Sequence, residues 1–262
     1  LAILQDQLAR PDVALEMSDE TLSTRSLVLF REAFEKCVQF AQSLNDHGYR
    51  LIQNESSRSE GELLLERALW IRRELLKVAP ESNELVIRFA ESTTNLANAL
   101  IQLEDEERMQ RAEVLLRDAS NLFASNADQV DRNPTIKKYG SSIDLLTGQV
   151  LRKRGNIPDA EKSMQRAIQS QIELVETDPN SFEFLLALLI SYSNIGEMKL
   201  ESEDAIASVE YFTQGSLLAD RMIALSPKNL QARLHKCALE LNVASAMRRG
   251  DYSRDEVRDR LV

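Results

Sequence analysis

The chain has 262 residues, 43% hydrophobic but only 5% aromatic, with 8 Gly, 6 Pro and a formal net charge of -10. Leu, Ala, Glu, Arg and Ser dominate, a balance that supplies a core and favours helix over sheet. The acidic balance makes a nucleic-acid phosphate backbone a poor global partner, no apolar run is long enough to span a membrane, and no signal peptide is visible. Cys37 and Cys237 fit no metal or redox spacing, so reduced thiols and a cytoplasmic setting are expected. The chain begins at Leu1 rather than Met and is expected to be a fragment, with room outside it for a membrane anchor or a catalytic domain.

From the amino end, Ala2 to Pro11 reads as the tail of a helix, Ser18-Asp19-Glu20 as the start of the next, and Asn54 to Gly61 as a polar, mobile turn. Beyond it a repeat becomes visible. Val78-Ala79-Pro80, Val130-Asp131-Arg132, Thr177-Asp178-Pro179 and Leu225-Ser226-Pro227 end alike; the steps from 80 to 131, 131 to 179 and 179 to 227 are 51, 48 and 48 residues. Twelve residues before these positions stand Ala68, Ala119, Ala167 and Gly215, and seventeen after them Ala97, Gly148, Gly196 and Ala244. Small residues in a fixed register let antiparallel helices approach closely, where a larger side chain would overpack the contact.

Each unit reads as helix A, short turn, helix B. In the third, helix A runs from about Ile136 to Arg154, Gly155 to Asp159 makes the turn, and Pro158 and Asp159 open the next helix. Helix B then carries Ala160, Met164, Ala167, Ile168, Gln171, Ile172 and Val175 at steps of three and four. Asn180 and Asn229 are placed to cap the helices after Pro179 and Pro227. The predicted units are 1–17 (partial), 18–81, 82–131, 132–179, 180–227 and 228–262 (partial, its second helix cut off at Val262).

These residues resemble the tetratricopeptide repeat: Gly148, Leu151, Ala160, Met164, Ala167 and Pro179 occupy the places of that family's pattern. Gly196, Lys199, Ser208, Phe212, Gly215 and Pro227 follow it less closely. Ala97, Leu100, Ala112, Leu116 and Ala119 fit with a turn three residues longer, and Gly48, Leu51, Gly61, Leu65, Ala68 and Pro80 with one extra. Units near 48 residues exceed the family's usual length of about 34 by about 14 residues, roughly two turns of which read as a longer helix B. Such long units, phrased like Glu66 to Leu76, look like the C-terminal repeat regions of large bacterial serine/threonine kinases. The resemblance implies an all-α, right-handed superhelical solenoid of antiparallel hairpins, a non-enzyme without cofactor or metal. It further implies a protein or peptide as partner, with a second copy of the chain kept open. A regulatory or oligomerisation arm of a kinase is the alternative.

In that family the A helices line the groove. Asn95, Asn194 and Asn242 stand two residues before the small position, where an amide offers both donor and acceptor. They are expected either to hold an extended peptide backbone or to tie adjacent helices together. Asn98, Gln102, Gln149, Arg152, Lys153, Glu197 and Arg248 complete the candidate face. The family's clamp for a C-terminal carboxylate is not reproduced, because Ile190 and Asn194 stand where it needs basic residues. Arg132 to Arg154 is rich in basic residues and Glu173 to Glu210 in acidic ones, runs that ordinarily form solvated faces and in a minority of cases steer a partner. His47 and His235 lack a metal-binding companion, Glu104 to Glu107 does not resemble a calcium loop, and Trp70 reads as core.

Overall fold

The computed structural model describes residues 24–102 and 105–250. The helices expected around Ala2 and Ser18, the second helix of the last unit and Glu104 fall outside the described residues. In chain order the helices are α1 (Thr24–Ile52), α2 (Arg58–Val78), α3 (Asn83–Ile101), α4 (Glu106–Ser125), α5 (Ala127–Arg132), α6 (Pro134–Lys153), α7 (Ile157–Thr177), α8 (Phe182–Glu201), α9 (Ala205–Leu225) and α10 (Leu230–Arg249). No strand occurs among the described residues. The chain divides into two compact units, residues 1–115 and 116–262, with the division inside α4.

The second unit shows the repeat most regularly. Helices α6, α8 and α10 have 20 residues each, and α7 and α9 have 21. Each A helix begins on a polar side chain that accepts from the first turn's N–H groups: Asn133 for α6, Ser181 for α8 and Asn229 for α10. Ser181 takes the place expected of Asn180, because it stands two residues past Pro179, as the cap Asn229 stands two past Pro227. Pro158 lies in the first turn of α7, as expected of a residue with no N–H to leave unpaired. α6 packs on α7, α8 on α9, and α9 on α10. Met164, Leu185, Leu189, Ile195, Met198, Val209, Phe212, Met222 and Leu239 form the buried interior.

The small-residue register works as hairpin contact. A Cβ at Gly148 would lie 2.6 Å from Met164 Cγ, and one at Gly196 2.7 Å from Phe212 Cε1. In the first unit α1 packs on α2 through Gly48 and Gly61, where each Cβ would meet the other's carbonyl oxygen at 2.8 Å. Gly61 is therefore inside α2. The polar turn expected from Asn54 to Gly61 contracts to a single 3₁₀ turn, Glu55–Ser57, with Asn54 as its cap.

The A-to-B turns of α6–α7 and α8–α9 close in the same way. The Asn156 N–H donates to the Leu151 carbonyl at 2.9 Å and the Gly155 N–H to that of Arg152 at 2.9 Å; the Asp204 and Glu203 N–H groups repeat this onto Lys199 (2.9 Å) and Leu200 (3.3 Å). This is the Schellman arrangement, and its C′ residue must be left-handed. Gly155 adopts φ 78° and Glu203 φ 61°. Only Gly takes that conformation without penalty, which for another residue is about 1–2 kcal/mol. Glu203→Gly should therefore raise stability by about 0.5–1 kcal/mol, part of the relief being offset by the entropy of Gly in the unfolded chain. A lower urea midpoint for this variant would show that the Glu203 side chain contributes contacts of its own.

Candidate functional site

The first unit holds a polar cluster that the sequence reading missed. Arg72, on α2, is only 2% exposed. Its Nη1 donates to Ser92 Oγ at 2.7 Å, to Glu91 Oε2 at 3.2 Å and to the Arg88 carbonyl, and its Nη2 to Gln42 Oε1 at 2.7 Å. Gln42 Oε1 also accepts from Arg88 Nη1 at 2.9 Å. One guanidinium thus joins α1, α2 and α3, which its planar fork of donors allows. Burial pushes its pKa down and the Glu91 carboxylate opposes that shift.

Asn95 joins the same cluster. Its Nδ2 donates at 3.3 Å to Oδ1 of the buried Asn45, which also accepts from Ser92 Oγ at 3.0 Å. Asn98 and Gln102 lie exposed toward the end of α3. A second tie holds α4 to α2: Glu62, itself buried, accepts from Arg108 Nε at 3.1 Å and from Arg111 Nη1 at 2.7 Å.

In the second unit the candidate residues of α6 and α8 meet each other. Gln149 Nε2 donates to Asn194 Oδ1 at 2.7 Å, and Asn194 Nδ2 donates to the Ile190 carbonyl at 2.8 Å. Arg152 reaches the Asn194 carbonyl at 3.3 Å, Glu197 at 3.6 Å and Glu201 at 3.1 Å. Burial raises the pKa of Glu197, with Arg152 opposing and Glu201 adding to the shift. Lys153 is exposed at the last turn of α6.

Asn242 is half-buried on α10, without a side-chain hydrogen bond among the described residues, and Arg248 is exposed in the last turn. Of the three amides in the shared register, two are spent on a neighbouring A helix and one is not.

A cavity of about 310 Å³ opens beside Phe123, Gly140, Asp144, Lys137 and Glu173. Its charged groups are already paired: Asp144 accepts from Arg166 at 2.9 and 3.2 Å, and Lys137 binds Glu173. Desolvation nevertheless raises the Asp144 pKa. Trp70, expected in the core, is 50% exposed, because the inward face of α2 at this level belongs to Leu69 and Arg72. No group of three or more His, Cys, Asp or Glu among the described residues could hold a metal ion, and no described helix is long and apolar enough to cross a membrane.

No protein-family model and no curated protein matches the chain. Among solved structures it is similar to BtubC (BKLC) from P. vanneervenii, with a TM-score of 0.50 and 14% identity over 87% of this chain and 88% of that one. The de novo designed helical repeat protein DHR64 overlays with a TM-score of 0.30 at 17% identity, over 87% of this chain and 97% of that one. The first likeness extends to the fold alone. With the stacked hairpins it makes the chain an all-α solenoid.

Proposed function

We propose that the chain is a non-catalytic interaction scaffold that holds a peptide or protein segment on the face of its A helices. The observation that carries this reading is the unspent amide of Asn242, in the register where Asn95 and Asn194 are committed to their neighbours. An amide aligned with its repeat equivalents but left half-buried and unbonded can accept and donate to an extended backbone. Glu197 on α8 and Arg248 on α10 supply charge of both signs on the A helices, a pattern suited to selecting among partners rather than to nucleic acid. The reading places the protein in the cytoplasm, where the unpaired Cys37 and Cys237 would be kept as thiols, and takes no cofactor. A regulatory or oligomerisation arm of a larger protein, in the manner of the kinase repeat regions, is the second reading; the exposed Leu230, Leu234 and Leu241 of α10 favour it.

The test is selection of binders from a displayed peptide library, followed by affinity and melting measurements on two variants. Asn242→Ala should lose about 1–3 kcal/mol of affinity, roughly five- to more than a hundredfold, with melting unchanged. Asn194→Ala should instead lower stability by about 1 kcal/mol, since it deletes the acceptor of Gln149. Peptides that bind both variants as tightly as the parent would move the binding surface off the A helices.

A further inference from the structure

The last described helix is apolar on two sides. Ala232, Leu239, Val243, Ala246 and Met247 are buried. On the opposite side Leu230, Leu234 and Leu241 are 68%, 61% and 71% exposed, with Cys237 exposed between them. Steps of four, three and four residues from 230 to 241 are those of a coiled-coil seam. In the two preceding hairpins the matching small position faces its own helix B, Gly148 against Met164 and Gly196 against Phe212. A helix with apolar residues on opposite faces is stable when it is sandwiched.

At the spacing of those two hairpins, the sequence that follows does not match this seam. Twelve and sixteen residues past Gly148 stand Ala160 and Met164, and past Gly196 stand Ser208 and Phe212, whereas past Ala244 the same places hold Glu256 and Arg260. The flank of the seam suits a second copy. Arg233 and Glu240 lie on the same side of it, seven residues apart; within the chain Arg233 donates to the Pro227 carbonyl at 2.5 Å and Glu240 meets Lys236 at 3.2 Å, surface contacts that leave each with further hydrogen-bonding capacity. In an antiparallel pair these flanks face each other, so Arg233 of one copy meets Glu240 of the other, twice about the two-fold axis. In a parallel pair they would face Ala238 and Ser245 and gain nothing.

We propose that the exposed seam of α10 docks antiparallel on the α10 of a second copy of this chain. Leu230 lies opposite Leu241 of the second copy, Leu234 lies opposite its Cys237, and Arg233–Glu240 pairs close one flank. The seam is a different face from the one argued above, since Asn242 lies roughly 100° around the helix from Leu241. Either reading can therefore fail alone. A seam of four residues on one helix is smaller than the roughly 800 Å² per partner of standard interfaces, so association in the micromolar range is expected.

Sedimentation equilibrium of the chain from about 1 to about 200 μM should show the mass rising toward twice that of the monomer. Leu234→Glu with Leu241→Glu should abolish the rise and leave the melting temperature of the dilute protein unchanged. Arg233→Glu should weaken association about tenfold, and adding Glu240→Arg should restore most of it. With Cys37→Ser present, a short bis-maleimide should link two copies through Cys237, and Leu234→Glu should prevent it. A monomer at every concentration would overturn the proposal. So would a dimer indifferent to the Leu234 and Leu241 changes, or a dilute monomer that those changes melt, since the seam would then be covered from within the same chain.

Discussion

Arg72→Met should unfold the protein at markedly lower urea, with a loss of about 3–5 kcal/mol. The methionine fills much of the same volume, so the expected loss is not a cavity effect. It comes from lost charge-assisted hydrogen bonds inside a buried cluster. The Arg88 carbonyl, the Ser92 hydroxyl and the Gln42 amide oxygen each lose a cationic donor at a site where Arg72 is 2% exposed, while Gln42 keeps Arg88 and Ser92 keeps Asn45. A hydrogen bond to a charged group contributes about 1.5–3 kcal/mol. Glu91, with its side chain 24% exposed, can turn to water and adds less. Arg72→Lys should fall between parent and Met, because an ammonium cannot reach Gln42 and Ser92 in one plane. An unchanged urea midpoint for Arg72→Met would mean that water already serves these acceptors.

Gly61→Ala should be the most damaging of the Gly→Ala changes among the described residues. The added Cβ would lie 2.8 Å from the Gly48 carbonyl oxygen, 2.8 Å from Ile52 Cγ2 and 2.8 Å from the Ile52 nitrogen. Two of the three are backbone atoms of a helix and cannot swing aside, so about 3 kcal/mol or more is expected, in spite of the better helix propensity of Ala. Gly196→Ala should cost less and Gly148→Ala least, at about 1–2 kcal/mol. The nearest obstacles are the Phe212 ring and the Met164 side chain, and an unbranched thioether re-routes more easily than a ring, which outweighs the looser 3.0 Å approach of the Ala160 carbonyl oxygen at Gly148. Urea midpoints in the reverse order would show that backbone proximity does not govern tolerance here.

The hairpins were legible because their ruler is written in one kind of residue. Gly148 and Gly196 have few other reasons to sit inside helices, and their spacing from Met164 and Phe212 repeats. Arg72 was illegible because the stretch Glu66 to Glu74 is half charged and reads as surface, with Trp70 the natural candidate for the core. The two positions are two residues apart on a helix, so turning one inward turns the other out. The register held the missing signal. Four residues past Ala68, Ala119, Ala167 and Gly215 stand Arg72, Phe123, Gln171 and Ala219, and all four are buried. The roles of the Asn residues were not decidable in advance, since an amide on an A helix serves a ligand or a neighbour with the same chemistry. The partner that engages it, Asn45 or Gln149, comes from about one unit away in the chain.

The contacts that lock each hairpin join residues close in sequence. Gly148 meets Met164 and Gly196 meets Phe212, each pair sixteen residues apart across a turn closed by its own backbone bonds. Loops of this size close on the order of 100 ns, while a ribosome adds about 5–20 residues per second. A 48-residue repeat therefore takes seconds to emerge. Each hairpin can close long before the next is synthesised, and the growing chain offers its finished edge as the template on which the following pair condenses.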